Sequence, residues 1–137
     1  MHQRVISLRT RKQYPVAHPT VIAVAASNQK HEKIKKSNYG QFVDLSAPGI
    51  DIRGASSLSD TSYELREGTS FSTAMVAAAA ALVLSGHPSF SDRQVTACLK
   101  SSSDPVQVIN PAYSGKLGTG QLNIERAVQC PLLTGDI

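Results

Sequence analysis

The sequence predicts an α/β domain, with a mainly parallel sheet, a buried central helix and further helices towards the C-terminus. Three observations predict it. Val21-Ile22-Ala23-Val24-Ala25-Ala26 is a short apolar run with β-branched residues, the pattern of a strand covered on both faces in a parallel sheet. Ala74 to Leu84 is an apolar stretch of high helix propensity with no polar face, which predicts a helix buried all round. Ser91-Asp92-Arg93-Gln94 fits a capping box and so opens another helix.

Met1 to Gln13 is polar and basic without a clear period, and reads as an irregular end. Two prolines within Tyr14-Pro15-Val16-Ala17-His18-Pro19 prevent a helix and favour an extended or turning chain before the first strand. Ser27 to Lys36 is polar and charged, a surface loop. Phe42-Val43-Asp44-Leu45 reads as a second short strand, stopped by Ala47-Pro48-Gly49. Asp51 to Ala55 suits a brief extended piece, and the Ser, Thr and Asp of Ser56 to Tyr63 suit a loop or hairpin tip. The apolar helix ends at Gly86, with Pro88 just beyond. The helix opened by Ser91 runs to about Lys100, with Val95, Cys98 and Leu99 on one stripe. A last short helix is expected at Ile124 to Gln129. The expected organisation is therefore an N-terminal basic segment (1–13), a folded region (14–130) and a tail (131–137).

The 137 residues are 41% hydrophobic, which is a globular composition and allows one domain. The longest apolar run, 11 residues, falls short of the ~18 that a membrane span needs. No membrane partner is expected. The first residues lack a secretory h-region, though their Arg-rich, acid-free character also suits a transit peptide. Two cysteines exclude a disulfide framework and a four-thiolate zinc site. At most one bridge remains, Cys98 to Cys130, and either redox state fits the sequence. The formal net charge is +4, but residues 1–36 carry eight basic groups against one acid. Such a segment suits an anionic surface. Sparse aromatic residues and the lack of a helix-turn-helix pattern argue against nucleic acid.

The stretch that carries chemistry is Glu67-Gly68-Thr69-Ser70-Phe71-Ser72-Thr73-Ala74, which leads straight into the apolar helix. A serine there sits among unpaired backbone N–H groups at the positive end of the helix dipole, where an oxyanion would be stabilised. Gly68 permits a tight turn. On the residues alone plain helix capping is the favoured reading, since Ser and Thr are preferred N-caps.

Four ordered motifs add a resemblance. Gly68-Thr69-Ser70-Phe71-Ser72-Thr73-Ala74-Met75-Val76-Ala77 resembles the nucleophile segment of subtilisin-like serine proteases. Upstream, Tyr14-Pro15-Val16-Ala17-His18-Pro19 and the strand after it resemble that family's Tyr-Pro-Ala segment. Ser37-Asn38-Tyr39-Gly40 with Val43-Asp44-Leu45-Ser46-Ala47-Pro48-Gly49 resembles its next pair of motifs, and Gly118-Thr119-Gly120-Gln121-Leu122-Asn123 its closing one. The resemblance covers about residues 14–128.

The resemblance implies a partial three-layer subtilisin-like fold: the late strands of the sheet, the central helix and the C-terminal helices. It implies proteolysis of internal peptide bonds, with Ser70 as nucleophile and its backbone N–H as one oxyanion donor, supported by Gly68 and Thr69. It places Gln13 beside the specificity pocket. It also implies an order of Asp, His, Ser along the chain, and neither of the first two segments occurs here. An asparagine to serve as side-chain oxyanion donor is likewise missing before Tyr14, and Ala74 replaces the usual proline. His2, His18, His31 and His87 each have a surface or capping reading rather than that of a base. Asp44 reads as a turn-capping carboxylate.

The expectation is a serine endopeptidase segment that is inactive alone. Its partners would be a protein or peptide substrate and an N-terminal catalytic half. The alternatives are a non-catalytic interaction module and, with no motif behind it, binding of residues 1–36 to an anionic surface. No cofactor is expected, since no acidic loop has a calcium-ligand pattern. The isolated chain is expected to be marginally stable or to pair with something, because the central helix lacks the strands that would cover it.

Overall fold

The computed structural model describes residues 14–16 and 18–130, and the expectations for Gln13, His2, the basic segment 1–13 and the tail 131–137 lie outside these. Two strands, β1 (Val24–Ser27) and β2 (Leu45–Pro48), pair in parallel with Val24 opposite Leu45. An antiparallel hairpin follows, β3 (Ile52–Ala55) with β4 (Tyr63–Arg66), and then the long helix α1 (Thr69–Gly86). Helix α2 (Asp92–Ser101), a 3₁₀ turn at Pro111–Tyr113 and α3 (Ile124–Val128) complete the order. The molecule is α/β, as the sequence predicts.

The strands sit about three residues later than their sequence expectation. Val21 is still in a turn, its N–H donating to the His18 carbonyl, and Asp44 Oδ2 occupies the N–H of Ala23 at 2.8 Å. Ala47-Pro48 is not a stop but the end of β2. A parallel ladder uses alternate residues of each strand. Ser27 O therefore accepts from Gly49 N at 2.9 Å, and the N–H that Pro48 lacks is not needed.

Helix α2 opens as its sequence signals. The Ser91 side chain accepts from Gln94 N, and the Gln94 side chain accepts from Ser91 N at 2.8 Å, which closes the capping box. Val95, Cys98 and Leu99 are buried on its inner stripe. α3 is capped by Asn123, whose side chain accepts from Arg126 N.

One core holds these elements together. Leu45 and Ala47 on one face of the parallel pair meet Val76, Ala79 and Val83 of α1, Val95, Cys98 and Leu99 of α2, and Ala127 of α3. Each Val or Leu so buried contributes about 1.5–3 kcal/mol. Ala25, on the opposite face of the sheet, joins Val43, Val106 and Leu117 in a second, smaller cluster. A Cys98–Cys130 disulfide, with Cα atoms 5.6 Å apart, ties α2 to the chain just past α3.

Helix α1 departs from its expectation. The uniformly apolar sequence predicts burial on all sides, yet only Ser72, Val76, Ala79 and Val83 are buried. These four lie on one face. The opposite side, including Ala74, Ala77, Ala78 and Ala81, is exposed, because the sheet and the two short helices all pack on one side of it. Of the three residues at its end, Val83 is fully buried while Leu82 and Leu84 stay 47% and 40% exposed. Formed over 18 residues, the helix is long and apolar enough to span a membrane by length and composition alone.

Reducing the disulfide should lower stability by about 3–4 kcal/mol, since it closes a loop of 32 residues' separation in the unfolded chain. Urea unfolding with and without reductant, followed by circular dichroism, measures this. Coincident curves would show that the bridge contributes nothing.

Candidate active site

The site is built where β2 ends and α1 begins. Gly68 precedes the helix with φ 150° and ψ 156°, a conformation that disfavours any side chain. Its N–H donates to Gly49 O at 2.7 Å, and the next helical bond runs from Phe71 N to Gly68 O at 3.2 Å. Gly49 thus holds two elements at once, since its own N–H is bound to Ser27 O. A side chain at Gly49 has no room. Its Cβ would lie 2.7 Å from Ala26 Cβ and 3.0 Å from Gly68 O, and closer still to Ser72 Oγ.

Ser72 supplies the second tie. It is fully buried, and its hydroxyl lies 3.0 Å from both the Ala47 and the Pro48 carbonyl oxygens. The first turn of α1 is thereby fastened to the last residues of β2. Thr73 Oγ1 donates back to Thr69 O at 2.9 Å within the turn. Glu67, just before Gly68, forms an ion pair with Lys36 of the loop after β1.

These ties fix Ser70 in the first turn, one position from half-buried Phe71 and two from buried Ser72, with its side chain exposed. Its hydroxyl makes no hydrogen bond among the described residues. The capping role open to it in the sequence is not used, since the N-cap is Gly68 and no side chain caps this helix. The N–H of Ser70 precedes the first intrahelical donor, Phe71 N, and lies at the positive end of the dipole. The arrangement offers an exposed hydroxyl beside an unpaired donor, which is what attack on a carbonyl requires on the nucleophile's side.

The described histidines are all engaged elsewhere. His18 Nδ1 is 2.9 Å from Thr20 Oγ1. His31 sits in the loop after β1 with φ 62°, its carbonyl held by Asn110 Nδ2. His87 is the C-cap of α1 and stacks on Phe90 with ring centroids 4.4 Å apart. Seventeen residues along the helix from Ser70, it is roughly 25 Å away at 1.5 Å per residue. Asp44 does not cap a local turn. Its carboxylate joins Ala23 N at 2.8 Å to Lys100 Nζ at 2.7 Å, linking β1 to the end of α2. Among the described residues no group of three His, Cys, Asp or Glu is placed to hold a metal ion.

Gly49 and Ser72 are the site residues that sequence reasoning missed as such. Both stood inside motifs, but their partners are 19 to 25 positions away in the chain.

The model of the subtilase family matches residues 7–123. The chain belongs to the subtilase family. Subtilisin NAT of Bacillus subtilis subsp. natto is 38% identical over 116 residues, which cover 85% of this chain and 29% of the relative. Subtilisin of Bacillus pumilus is 37% identical, with 40% of its length covered, and Subtilisin Savinase of Lederbergia lenta is 33% identical, also with 40% covered. Among solved structures, the patellamide maturation protease PatA superposes with a TM-score of 0.74 at 31% identity, covering 84% of this chain and 44% of that one. The prenylagaramide maturation protease PagA gives 0.71 at 32%, covering 85% and 44%. The subtilase chain described here thus spans less than half the length of these relatives.

Gly49→Ala should loosen the seat of the nucleophile turn and cost about 1–3 kcal/mol of stability, as overpacking of a tight contact does. Thermal unfolding of the variant measures it. An unchanged midpoint would mean that the β2–α1 junction tolerates the added carbon.

Proposed function

We propose that this subtilase chain carries the nucleophile portion of a serine endopeptidase site, with Ser70 attacking the peptide carbonyl and its backbone N–H receiving the oxyanion. The observation that carries the reading is the pinned first turn of α1. It leaves the Ser70 hydroxyl exposed and unbonded while Ser72, two residues on, is buried and tied to β2. A hydroxyl held for structure would be used in a cap or a buried bond, as Ser91 and Ser72 are.

The mechanism needs more than the described residues bring to Ser70. Serine is a weak nucleophile until a base takes its proton, and a carboxylate must orient that base. No described histidine or carboxylate reaches Ser70. On this reading the base and its orienting acid are supplied in trans, and the chain alone has negligible activity. The expected deficit is on the order of 10⁶ in kcat, the size of loss that removing the serine or histidine causes in subtilisin itself. Gln13 is proposed to line the specificity pocket of the assembled site. The substrates are proteins or peptides, reached only once the site is complete.

Two readouts test this. The chain alone should neither hydrolyse a chromogenic peptide nor react with a fluorophosphonate probe. Mixed with a polypeptide bearing the Asp and His segments, it should label at Ser70, and Ser70→Ala should abolish the labelling. Turnover by the chain alone, lost in Ser70→Ala, would overturn the claim of incompleteness. Labelling that survives Ser70→Ala would overturn the assignment of the nucleophile.

A further inference from the structure

On the side of the sheet away from α1, the loop after β1 meets the segment that follows the 3₁₀ turn. Asn110 joins them. Its Oδ1 accepts from Lys33 N at 2.8 Å and its Nδ2 donates to His31 O at 2.9 Å. Gly40 N donates to Lys116 O at 2.9 Å, and Lys116 N donates to Tyr113 O at 2.9 Å. The rings of Tyr39 and Tyr113 pack edge to face, centroids 4.8 Å apart, against the smaller core cluster.

Two cations from distant parts of the chain converge on this ring pair. Lys33 Nζ lies 5.2 Å from the Tyr39 centroid and 4.9 Å from that of Tyr113, and Lys116 Nζ lies 6.0 Å from the Tyr39 centroid. Lys33 Nζ also donates to Ile34 O at 2.7 Å. A lysine on an open surface gives up rotamer freedom when it binds an anion, whereas these two have already given up part of it to the rings. Gathering like charges costs free energy that the ring faces offset in part and that an arriving anion would relieve.

The rest of the loop adds charge of the same sign. Lys30, Lys35 and Lys36 are exposed along it. Glu32, the acid within the loop, is held by Asn28 Nδ2 at 2.7 Å, and Glu67 pairs with Lys36. No ion pair among the described residues uses Lys30, Lys35 or Lys116. The loop is also shaped by its own bonds, since Asn28 Oδ1 accepts from Lys30 N and Glu32 N and Ser27 bridges to Lys33. Through Lys36 and Glu67 the basic surface reaches the residue before Gly68, and so begins at the nucleophile turn. Lys33 is three residues from Lys36, a span of at most about 11 Å.

We propose that Lys33 and Lys116 over the Tyr39–Tyr113 pair, with Lys30 and Lys35 beside them, bind an acidic stretch of the protein substrate a few residues from the bond presented to Ser70. The inference rests on the reading of Ser70 as nucleophile and narrows its substrates to polypeptides with clustered Asp or Glu. An anionic bilayer is the competing occupant, because Val108 and Ile109, just before Asn110, are exposed aliphatic residues. Two observations favour the acidic segment. The surface adjoins the nucleophile turn, and the rings that hold the lysines are half buried against the core rather than offered for insertion.

The test measures binding of a fluorescein-labelled decaglutamate peptide to the whole chain by anisotropy, with decaglutamine as control. Decaglutamate alone should bind, and its affinity should fall as salt is added. In Lys30→Gln/Lys35→Gln/Lys116→Gln, three exposed cations are removed, so the thermal midpoint should hold while binding weakens about 10-fold. Arginine at the same three positions should restore it. No binding, equal binding of decaglutamine, or undiminished binding by the glutamine variant overturns the proposal. So does binding lost only in Arg4→Gln/Arg9→Gln/Arg11→Gln/Lys12→Gln, or retention on phosphatidylcholine–phosphatidylglycerol vesicles without affinity for decaglutamate. The substrate claim is read in a mixture with a polypeptide bearing the Asp and His segments. Internally quenched peptides with four glutamates on either side of the cleavable bond are compared with their glutamine counterparts. KM should be about 10-fold lower for a glutamate peptide, and the glutamine variant should erase the difference. Equal KM values overturn the substrate assignment. Decaglutamate binding without fluorophosphonate labelling of Ser70 in that mixture would uphold the basic surface and overturn the nucleophile. Labelling of Ser70 without decaglutamate binding would do the reverse.

Discussion

The junction between the end of β2 and the start of α1 sets the rest of the structure. It consists of a backbone bond from Gly68 to Gly49 and a buried hydroxyl, Ser72, against the carbonyls of Ala47 and Pro48. Because Gly49 is bonded onward to Ser27, the helix start is fixed relative to both strands of the sheet. The helix then runs back across the sheet face, and its inner stripe forms the core with α2 and α3. The same junction decides which side of the first turn faces outward. With Ser72 turned in, Ser70 is turned out by the geometry of the helix.

The packing around this junction is one-sided. Two small clusters cover the faces of the parallel pair, and buried polar groups are satisfied within them: Ser27 Oγ donates to Gln121 Oε1 at 2.6 Å, and Asn110 binds the carbonyls of His31 and Val106. Among the described residues no buried side-chain nitrogen or oxygen is left without a partner. The interior on this side is therefore finished. The outer stripe of α1 is not, and the contrast lies within a single helix whose two faces are equally free of charge.

Local signals made most elements legible. The Ser91 to Gln94 box and the stripe Val95, Cys98, Leu99 located α2, because capping and periodicity are properties of neighbouring residues. Strand limits were less legible. Treating Ala47-Pro48-Gly49 as a stop was correct for proline in general, but a parallel pairing places the missing N–H of Pro48 on the unused side. The one-sided burial of α1 is illegible for a related reason. A uniformly apolar helix carries no internal record of which faces have neighbours, so its sequence could not show that only one side is covered. At the site, the ordered motifs located Ser70, whereas the roles of Gly49 and Ser72 depend on contacts between distant positions. The Cys98–Cys130 pair, open in the sequence, is joined because α2 and α3 pack side by side on α1.

That bridge also changes what a backbone cut would do. The chain between its ends includes the turn bearing Val108, which is almost wholly exposed, and the 3₁₀ turn at Pro111–Tyr113. Exposed turns are where proteolytic nicks concentrate. A scission there would not release the closing segment at Gln121 that holds Ser27 and pairs with Ser46, because the sulfurs would still tether it to α2. A nicked molecule would remain a single covalent body, with its nucleophile turn still seated.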